Sequence, residues 1–271
     1  MTSLWYALAL ALGVSILYMS MWFVVALAKK RNDVVDVAWG LGFVLVAMIP
    51  IVLYGPMYRA LFVTTLILIW GIRLSYHIYS RNFGAPEDAR YAAWRKKWGD
   101  QLLVRSYFQI FALQALLLVI IALPVLVLNT YDGGGIQIWD IVGGLVWLGG
   151  FLSEAIGDAQ LRAFVKNKDN AGKIMTSGLW RYTRHPNYFG EVTMWWGIWI
   201  ISLGVPHGPL TIIGPLLITY LILFVSGVPL LEKAFARRAG FLAYTRQTSK
   251  FIPWFPKEIP SKKRAHKKHT A

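Results

Sequence analysis

Apolar segments of about 16 to 25 residues alternate with polar or charged stretches along most of the chain. A helix needs about 20 apolar residues to cross the roughly 30 Å hydrocarbon core of a bilayer, since each residue adds 1.5 Å. The pattern therefore predicts an all-α integral membrane protein with seven transmembrane helices. The predicted spans are 4–28, 37–54, 61–79, 107–128, 138–164, 187–203 and 210–231.

The composition agrees with a membrane protein that has one domain, 1–271. The 271 residues are 56% apolar and 15% charged, with a mean hydropathy of +0.49. The connecting loops are too short for a second folded domain, and the first span is too long for a signal-peptide core. The chain has no cysteine, which excludes disulfides and thiolate metal sites.

The basic residues predict the orientation. Of the 28 Lys and Arg, 26 lie on one side of the predicted spans, whereas Arg59 is on the other side and Arg73 is inside the third span. The positive-inside rule then places the N-terminus outside and the C-terminus in the cytoplasm. The net charge of +15 faces anionic lipid in this arrangement. We expect the basic tail, 257–271, to contact membrane lipids and expect no nucleic-acid partner.

Ionisable residues inside the predicted spans lie on single helical faces, at spacings of three or four residues. An intramembrane charge is costly and usually marks function. The pattern therefore predicts a polar cavity in the cytoplasmic half. With the polar and aromatic residues that share these faces, the set is Asp36 and Trp39 at the start of span two, Trp70, Arg73 and His77 in span three with Arg81 just after it, Glu154, Asp158 and Arg162 in span five, and Asn187, Glu191 and Trp195 in span six.

Several of these residues also fit a structural role. Asp36 suits an N-cap, Arg73 suits a snorkelling side chain, and Asp158 with Arg162 suits an i, i+4 ion pair. Glu154 and Glu191 are harder to explain structurally, since each lies in an apolar helix beside other polar groups. The histidines lack paired ligand spacing, so we expect no metal.

The loop between spans five and six, 166–191, is rich in cations and aromatic rings. It leads into a helix N-terminus near Asn187, where free N–H groups and nearby cations suit an anionic ligand such as a pyrophosphate. Trp180, Tyr182 and Tyr188 are suited to stacking on a base. An ordinary positive-inside loop with interfacial aromatic residues explains the same composition.

The end of this loop, 184–191, reads Arg-His-Pro-Asn-Tyr-Phe-Gly-Glu. It resembles a signature of membrane reductases of the steroid 5-alpha-reductase and sterol-reductase type and, more weakly, of isoprenylcysteine carboxyl methyltransferases. The whole chain most resembles the bacterial DUF1295 branch of the steroid 5-alpha-reductase superfamily. Supporting segments are 36–40, 70–74, 90–91 and 244–253.

The resemblance implies an NADPH site in 129–256 and substrate-facing helices in 1–128. Glu191 favours the reductases over the methyltransferases, which usually carry an apolar residue there and bind S-adenosylmethionine. Val35-Asp36 and Trp70 stand where steroid reductases have a Gln-Glu pair and a Tyr, which argues against a steroid enone as substrate. The expected cofactor-binding residues are Glu154, Asp158, Arg162, Lys166, Tyr182, Arg184, His185, Asn187, Tyr188, Glu191, Trp195, Tyr244 and Arg246.

The resulting hypothesis is an NADPH-dependent reductase of an enone-like double bond in a lipophilic molecule from the bilayer. Negative charge that builds on the substrate oxygen needs a donor, and the candidates are protonated Asp36, Arg73 and His77. The alternatives are an S-adenosylmethionine-dependent methyltransferase and a non-catalytic lipid-binding protein. The expected location is a bacterial inner membrane, or the endoplasmic reticulum in a eukaryote, and the oligomeric state is left open.

Overall fold

The computed structural model describes residues 2–131 and 134–257. Within these ranges the chain is helical and has no strand, apart from one isolated bridge between Thr183 and Ser249. The prediction of an all-α protein is therefore confirmed. The basic tail that the sequence predicts lies outside the described residues except for Lys257.

Twelve α-helices occur in the described ranges, together with shorter π- and 3₁₀-helical turns. The α-helices are α1 Thr2–Lys29, α2 Val34–Tyr54, α3 Tyr58–Asn82, α4 Ala89–Trp98, α5 Leu102–Ser106, α6 Leu113–Ile121, α7 Leu123–Thr130, α8 Ile138–Lys166, α9 Pro186–Ser202, α10 Ile213–Tyr220, α11 Val228–Phe235 and α12 Phe241–Gln247. The π-helical segments are Tyr107–Ala112 and Leu221–Val225, and the 3₁₀ turns are Gly99–Gln101, Lys168–Asn170, Gly178–Arg181 and Gly208–Ile212.

Six helical stretches among the described residues are long and apolar enough to cross a membrane, so the chain is a multi-pass membrane protein. The predicted sixth span corresponds to α9, whose 17 residues fall short of the roughly 20 that a straight crossing requires. Seven spans and the orientation of the termini remain predictions. The six stretches are Leu4–Lys29, Val34–Tyr54, Tyr58–Asn82, Ala89–Ile121, Ile138–Lys166 and Gly208–Phe235.

The fourth of these stretches differs from its predicted boundaries, 107–128. The apolar helical stretch begins at Ala89 and ends at Ile121. Pro124, in the first turn of α7, has no N–H to continue a helix, and its ring clashes with a preceding carbonyl. The helix therefore ends at Ile121, and after Ala122 the chain becomes helical again as α7.

The described residues form two compact units. Unit 1 comprises Met1–Leu148 and Thr193–Tyr220, and unit 2 comprises Gly149–Val192 and Leu221–Ala271. The predicted division of roles between 1–128 and 129–256 stays a prediction.

Unit 1 packs its second and third helices at close range. A Cβ on Gly40 would lie 2.4 Å from the Gly71 carbonyl oxygen, so only glycine permits the contact. Phe43 and Trp70 pack beside it, each 1% exposed, with ring centroids 5.6 Å apart. These contacts form an apolar core beside the N-terminal half of α2.

Unit 2 has a similar close approach of two helices at a glycine, between α8 and α9. A Cβ on Gly190 would lie 2.4 Å from the Gly150 carbonyl oxygen and 2.5 Å from the Glu154 backbone nitrogen. The two backbones therefore touch, which brings the polar face of α8 against the start of α9. This contact positions the candidate site.

Candidate functional site

The polar faces of α8 and α9 meet in unit 2. Asn187 Nδ2 donates a hydrogen bond to Asp158 Oδ1 over 3.2 Å. Glu154 lies one turn before Asp158, and the two acids are only 3% and 6% exposed. Asn187 Oδ1 is buried and accepts no hydrogen bond. An unsatisfied buried acceptor is costly, so this oxygen suits a ligand that donates an N–H or O–H.

Arg184 and His185 make their side-chain contacts with the protein itself. The Arg184 guanidinium donates to both carboxylate oxygens of Glu232, over 2.7 and 3.0 Å. Its Nη1 donates to the carbonyl oxygens of Thr245 and Thr248. His185 Nε2 lies 3.1 Å from Glu232 Oε1. Arg184, one of the predicted cofactor-binding residues, is thus 8% exposed and bound to Glu232.

The C-terminal segment, residues 244–257, is tied to the loop before α9. The Tyr244 hydroxyl donates to the Trp180 carbonyl oxygen. The Arg184 backbone N–H donates to the Ser249 carbonyl oxygen over 2.9 Å, and the Thr183 hydroxyl donates to the Phe251 carbonyl oxygen over 2.7 Å. These bonds fix the start of α9 from outside the helix.

Burial sets the protonation of two of these groups. Burial lowers the pKa of His185 below its ordinary value, so the imidazole is neutral near pH 7. A neutral ring facing the Glu232 carboxylate carries its proton on Nε2, which leaves buried Nδ1 as an acceptor. Burial also raises the pKa of Tyr244, so its hydroxyl keeps the proton that it donates.

The remaining predicted cofactor residues of unit 2 lie nearer the surface. Glu191 and Tyr188 are half-buried, and the Tyr188 ring stacks on His185 with centroids 5.8 Å apart. Tyr182 is 38% exposed. Three exposed cations complete the predicted set, namely Arg162, Lys166 and Arg246. The unit thus combines buried acceptors with exposed cations.

Trp195 belongs to unit 1, whereas the other predicted cofactor-binding residues belong to unit 2. Its side chain is 1% exposed, and its ring centroid lies 4.6 Å from that of Phe43 and 5.6 Å from that of Trp70. These contacts place it in the aromatic core of unit 1.

Asp36, the first predicted catalytic residue, is bound by two donors from α4. The Tyr91 hydroxyl donates to Asp36 Oδ1 over 2.7 Å, and Arg90 Nη2 lies 3.2 Å from Asp36 Oδ2. The interpretation of Asp36 as an N-cap is wrong, because α2 begins at Val34 and Asp33 holds that position. Both side-chain oxygens of Asp36 are thus engaged as acceptors, which does not suit the predicted role of proton donor to a substrate.

The loops around Asp36 are held by a second ion pair and by a hydrogen bond from the backbone. Arg31 donates to both carboxylate oxygens of Asp33, over 2.6 and 2.7 Å, and the Asp88 backbone N–H donates to Asp33 as well. Although burial raises the pKa of Asp33, these hydrogen bonds outweigh it and the net direction is downward. The loop before α2 is thereby fixed to the loop before α4.

Arg73 and His77, the other predicted catalytic residues, lie half-buried on α3, one turn apart. Within the described ranges no group of three or more His, Cys, Asp or Glu is arranged to hold a metal ion.

Sequence reasoning missed Glu232, Arg90 and Tyr91 as site residues. Glu232 had a signal, since it directly follows the last apolar span and is the one acidic residue between Glu191 and Glu258. Arg90 and Tyr91 belong to a segment that supports the family resemblance, but their contact with Asp36 depends on packing.

No curated protein and no solved structure is significantly similar to the chain. A family model described as "Protein of unknown function (DUF1295)" matches residues 22–248, which is most of the chain. The chain therefore belongs to the DUF1295 family, as its resemblance predicts.

Proposed function

We propose that the protein is a membrane-embedded, NADPH-dependent reductase of an activated carbon–carbon double bond in a lipophilic substrate. Membership of the DUF1295 family supports the proposal, as does the resemblance of 184–191 to the signature of membrane reductases. The observation that carries it is the side chain of Asn187. Asp158 fixes its amide nitrogen, and its buried oxygen is left to accept a hydrogen bond at the start of α9.

The residues of unit 2 fit a phosphorylated dinucleotide. Asn187, Asp158 and Glu191 offer acceptors for ribose hydroxyls or for the carboxamide N–H of nicotinamide. Arg162 and Lys166 are exposed and suit the phosphates. Arg184, whose donors bind Glu232 and two carbonyl oxygens, acts as a positioning residue that holds the loop before α9.

NADPH supplies a hydride when it is bound. The protein must bind and orient the substrate and stabilise the negative charge that reduction leaves on its carbonyl oxygen. Arg73 offers a fixed cation, and the His77 imidazole can donate a proton to the reduced substrate. Asp36 accepts hydrogen bonds from Arg90 and Tyr91, so we assign it the task of holding these two side chains.

The test measures thermal unfolding of the detergent-purified chain with NADPH, NADH or S-adenosylmethionine. A ligand that binds the native state at 100 times its Kd stabilises it by about 2.7 kcal/mol. NADPH should raise the midpoint more than NADH, because the exposed cations bind the 2′-phosphate. NADPH should then be consumed when a lipophilic enone is added.

Two amide variants serve as a matched pair. Asn187→Ala should abolish most of the shift produced by NADPH, whereas Asn82→Ala, at the end of α3 in unit 1, should preserve it. A higher unfolding midpoint with S-adenosylmethionine alone would indicate a methyltransferase instead of a reductase. No shift with any of the three ligands would favour a non-catalytic lipid-binding protein and overturn the proposal.

A further inference from the structure

The C-terminal segment exposes large apolar side chains. Ile252, Trp254 and Phe255 are 65%, 69% and 77% exposed. Tyr182, which is 38% exposed, meets the Phe255 ring edge-on with centroids 6.3 Å apart. Four neighbouring apolar groups left in water would be costly, and Trp and Tyr are enriched where a membrane meets water.

Basic residues accompany these rings in the sequence, and all of them are exposed on unit 2. No acidic residue occurs between Glu232 and Glu258. Arg238 lies over the Phe235 ring, 4.5 Å from its centroid, so one of these cations is already held above an aromatic face. The six basic residues of this stretch are all exposed: Lys233, Arg237, Arg238, Arg246, Lys250 and Lys257.

Hydrogen bonds hold the exposed segment in place. The Trp254 backbone N–H donates to the Tyr182 carbonyl oxygen over 2.9 Å, and the Lys257 N–H donates to the Gln247 carbonyl oxygen over 2.8 Å. With the bond from Thr183 to Phe251, these contacts fix the segment at three points. A preformed surface loses little entropy on docking.

The position of the stretch in the chain indicates what it meets. The last apolar stretch that can cross a membrane, Gly208–Phe235, ends where the basic stretch begins. We propose that the basic aromatic surface, made of these six cations with Tyr182, Ile252, Trp254 and Phe255, docks on anionic phospholipid headgroups of the membrane. The rings lie at headgroup level, and the cations bind the lipid phosphates.

The positive charge of the surface favours anionic over zwitterionic phospholipids. A Lys or Arg near an anionic leaflet contributes about 1 kcal/mol, which corresponds to roughly a fivefold preference for each cation. A zwitterionic lipid offers no such field. The docking does not rest on the proposed NADPH reaction, and Arg237 and Lys250 lie outside the expected cofactor-binding residues, so they can test it separately.

Because the sequence has no cysteine, Ile252→Cys creates a single site for a spin label. This change keeps Trp254 and Phe255. The spin-labelled full chain is placed in nanodiscs of phosphatidylcholine, with or without phosphatidylglycerol. Phosphatidylglycerol should make the label more accessible to oxygen and less accessible to a water-soluble nickel relaxant. A label equally accessible to nickel in both lipids would overturn the proposal.

Matched charge variants identify the responsible cations. Arg237→Gln with Lys250→Gln should weaken the response to phosphatidylglycerol, by up to about 25-fold in lipid preference if the two contributions add. Lys96→Gln with Lys97→Gln, exposed on α4 of unit 1, should leave the response unchanged. Thermal midpoints confirm that each pair is folded, and an equal response in both pairs would overturn the proposal.

Two further arms exclude other sources of the response. A chain that ends at Lys257 should keep the response, since the basic aromatic surface lies before the tail; its loss would overturn the assignment to this surface. If the cations instead bind a phosphate of the dinucleotide, Arg237→Gln with Lys250→Gln will lower NADPH affinity in phosphatidylcholine. The accessibility of the label will then be the same with and without phosphatidylglycerol. That result would likewise overturn the proposal.

Discussion

Glu232 is the residue whose replacement tests the architecture of the candidate site. It accepts two hydrogen bonds from Arg184 and lies 3.1 Å from His185 Nε2. The change Glu232→Gln keeps the size of the side chain but removes its charge and one acceptor oxygen. Arg184, which is only 8% exposed, would keep its carbonyl partners and lose its counter-charge.

The magnitude follows from these contacts. A hydrogen bond to a charged group contributes about 1.5 to 3 kcal/mol, and the glutamine oxygen can replace only part of what the carboxylate accepts. Its amide nitrogen would also face a donor from Arg184. We expect a loss of about 2 to 4 kcal/mol of unfolding free energy. At 2 to 4 °C per kcal/mol for a chain of similar size, the midpoint should fall by about 5 to 15 °C.

The assay is thermal unfolding of the apo protein in one detergent, with Asp169→Asn as control. Asp169 is exposed in the loop after α8, so its neutralisation should change stability by less than about 0.5 kcal/mol. If Glu232→Gln unfolds within about 2 °C of the unaltered protein, the bond between Arg184 and Glu232 does not hold the loop in place.

Other predictions can be checked on the same preparation. Glu191→Gln should lower NADPH affinity about tenfold, or 1.4 kcal/mol, with an unchanged apo midpoint; a lower midpoint with unchanged affinity would make Glu191 structural. Gly190→Val should cost at least about 1 to 3 kcal/mol because its side chain collides with the α8 backbone, whereas Gly149→Val, with open space around its Cβ, should be tolerated. Because burial lowers the pKa of His185, the unfolded chain binds the proton more readily. Stability should therefore fall as the pH drops below about 6.5, and His185→Gln should flatten that decline in unfolding measurements at several pH values. Reporter fusions in the loop before α8 and at the C-terminus should report opposite sides of the membrane, and the same side for both would refute the orientation.

The membrane helices were predictable because long apolar runs have few alternatives. The first three predicted spans correspond to α1, α2 and α3. The break at Ala122 was missed because a proline inside an apolar run leaves the hydrophobic pattern intact. The predicted sixth span, 187–203, agrees with α9 to within one residue at each end, since both are 17 residues long.

The candidate site was predictable where it depends on helical spacing. The four-residue spacing along α8 and α9 placed Asp158 and Asn187 on polar faces, and the structure joins them. The contact of Arg184 with Glu232 spans 48 residues, and it depends on where α11 packs. A local sequence pattern cannot predict a contact between residues so far apart in the chain. Glu232 was therefore identified as the partner of Arg184 only from the fold.

The ion pair between Arg59 and Asp140 has a consequence for the order of membrane assembly. Arg59, at the start of α3, donates to both carboxylate oxygens of Asp140 at the start of α8, over 2.8 and 2.9 Å, and both are at least 96% buried. The two residues are 81 positions apart, so at about 5 to 20 residues per second the ribosome supplies Asp140 roughly 4 to 16 s after Arg59. During that interval α3 carries an uncompensated cation. Its final position in the bilayer therefore depends on the arrival of α8, and a nascent chain that stops before α8 should remain accessible to chaperones and proteases.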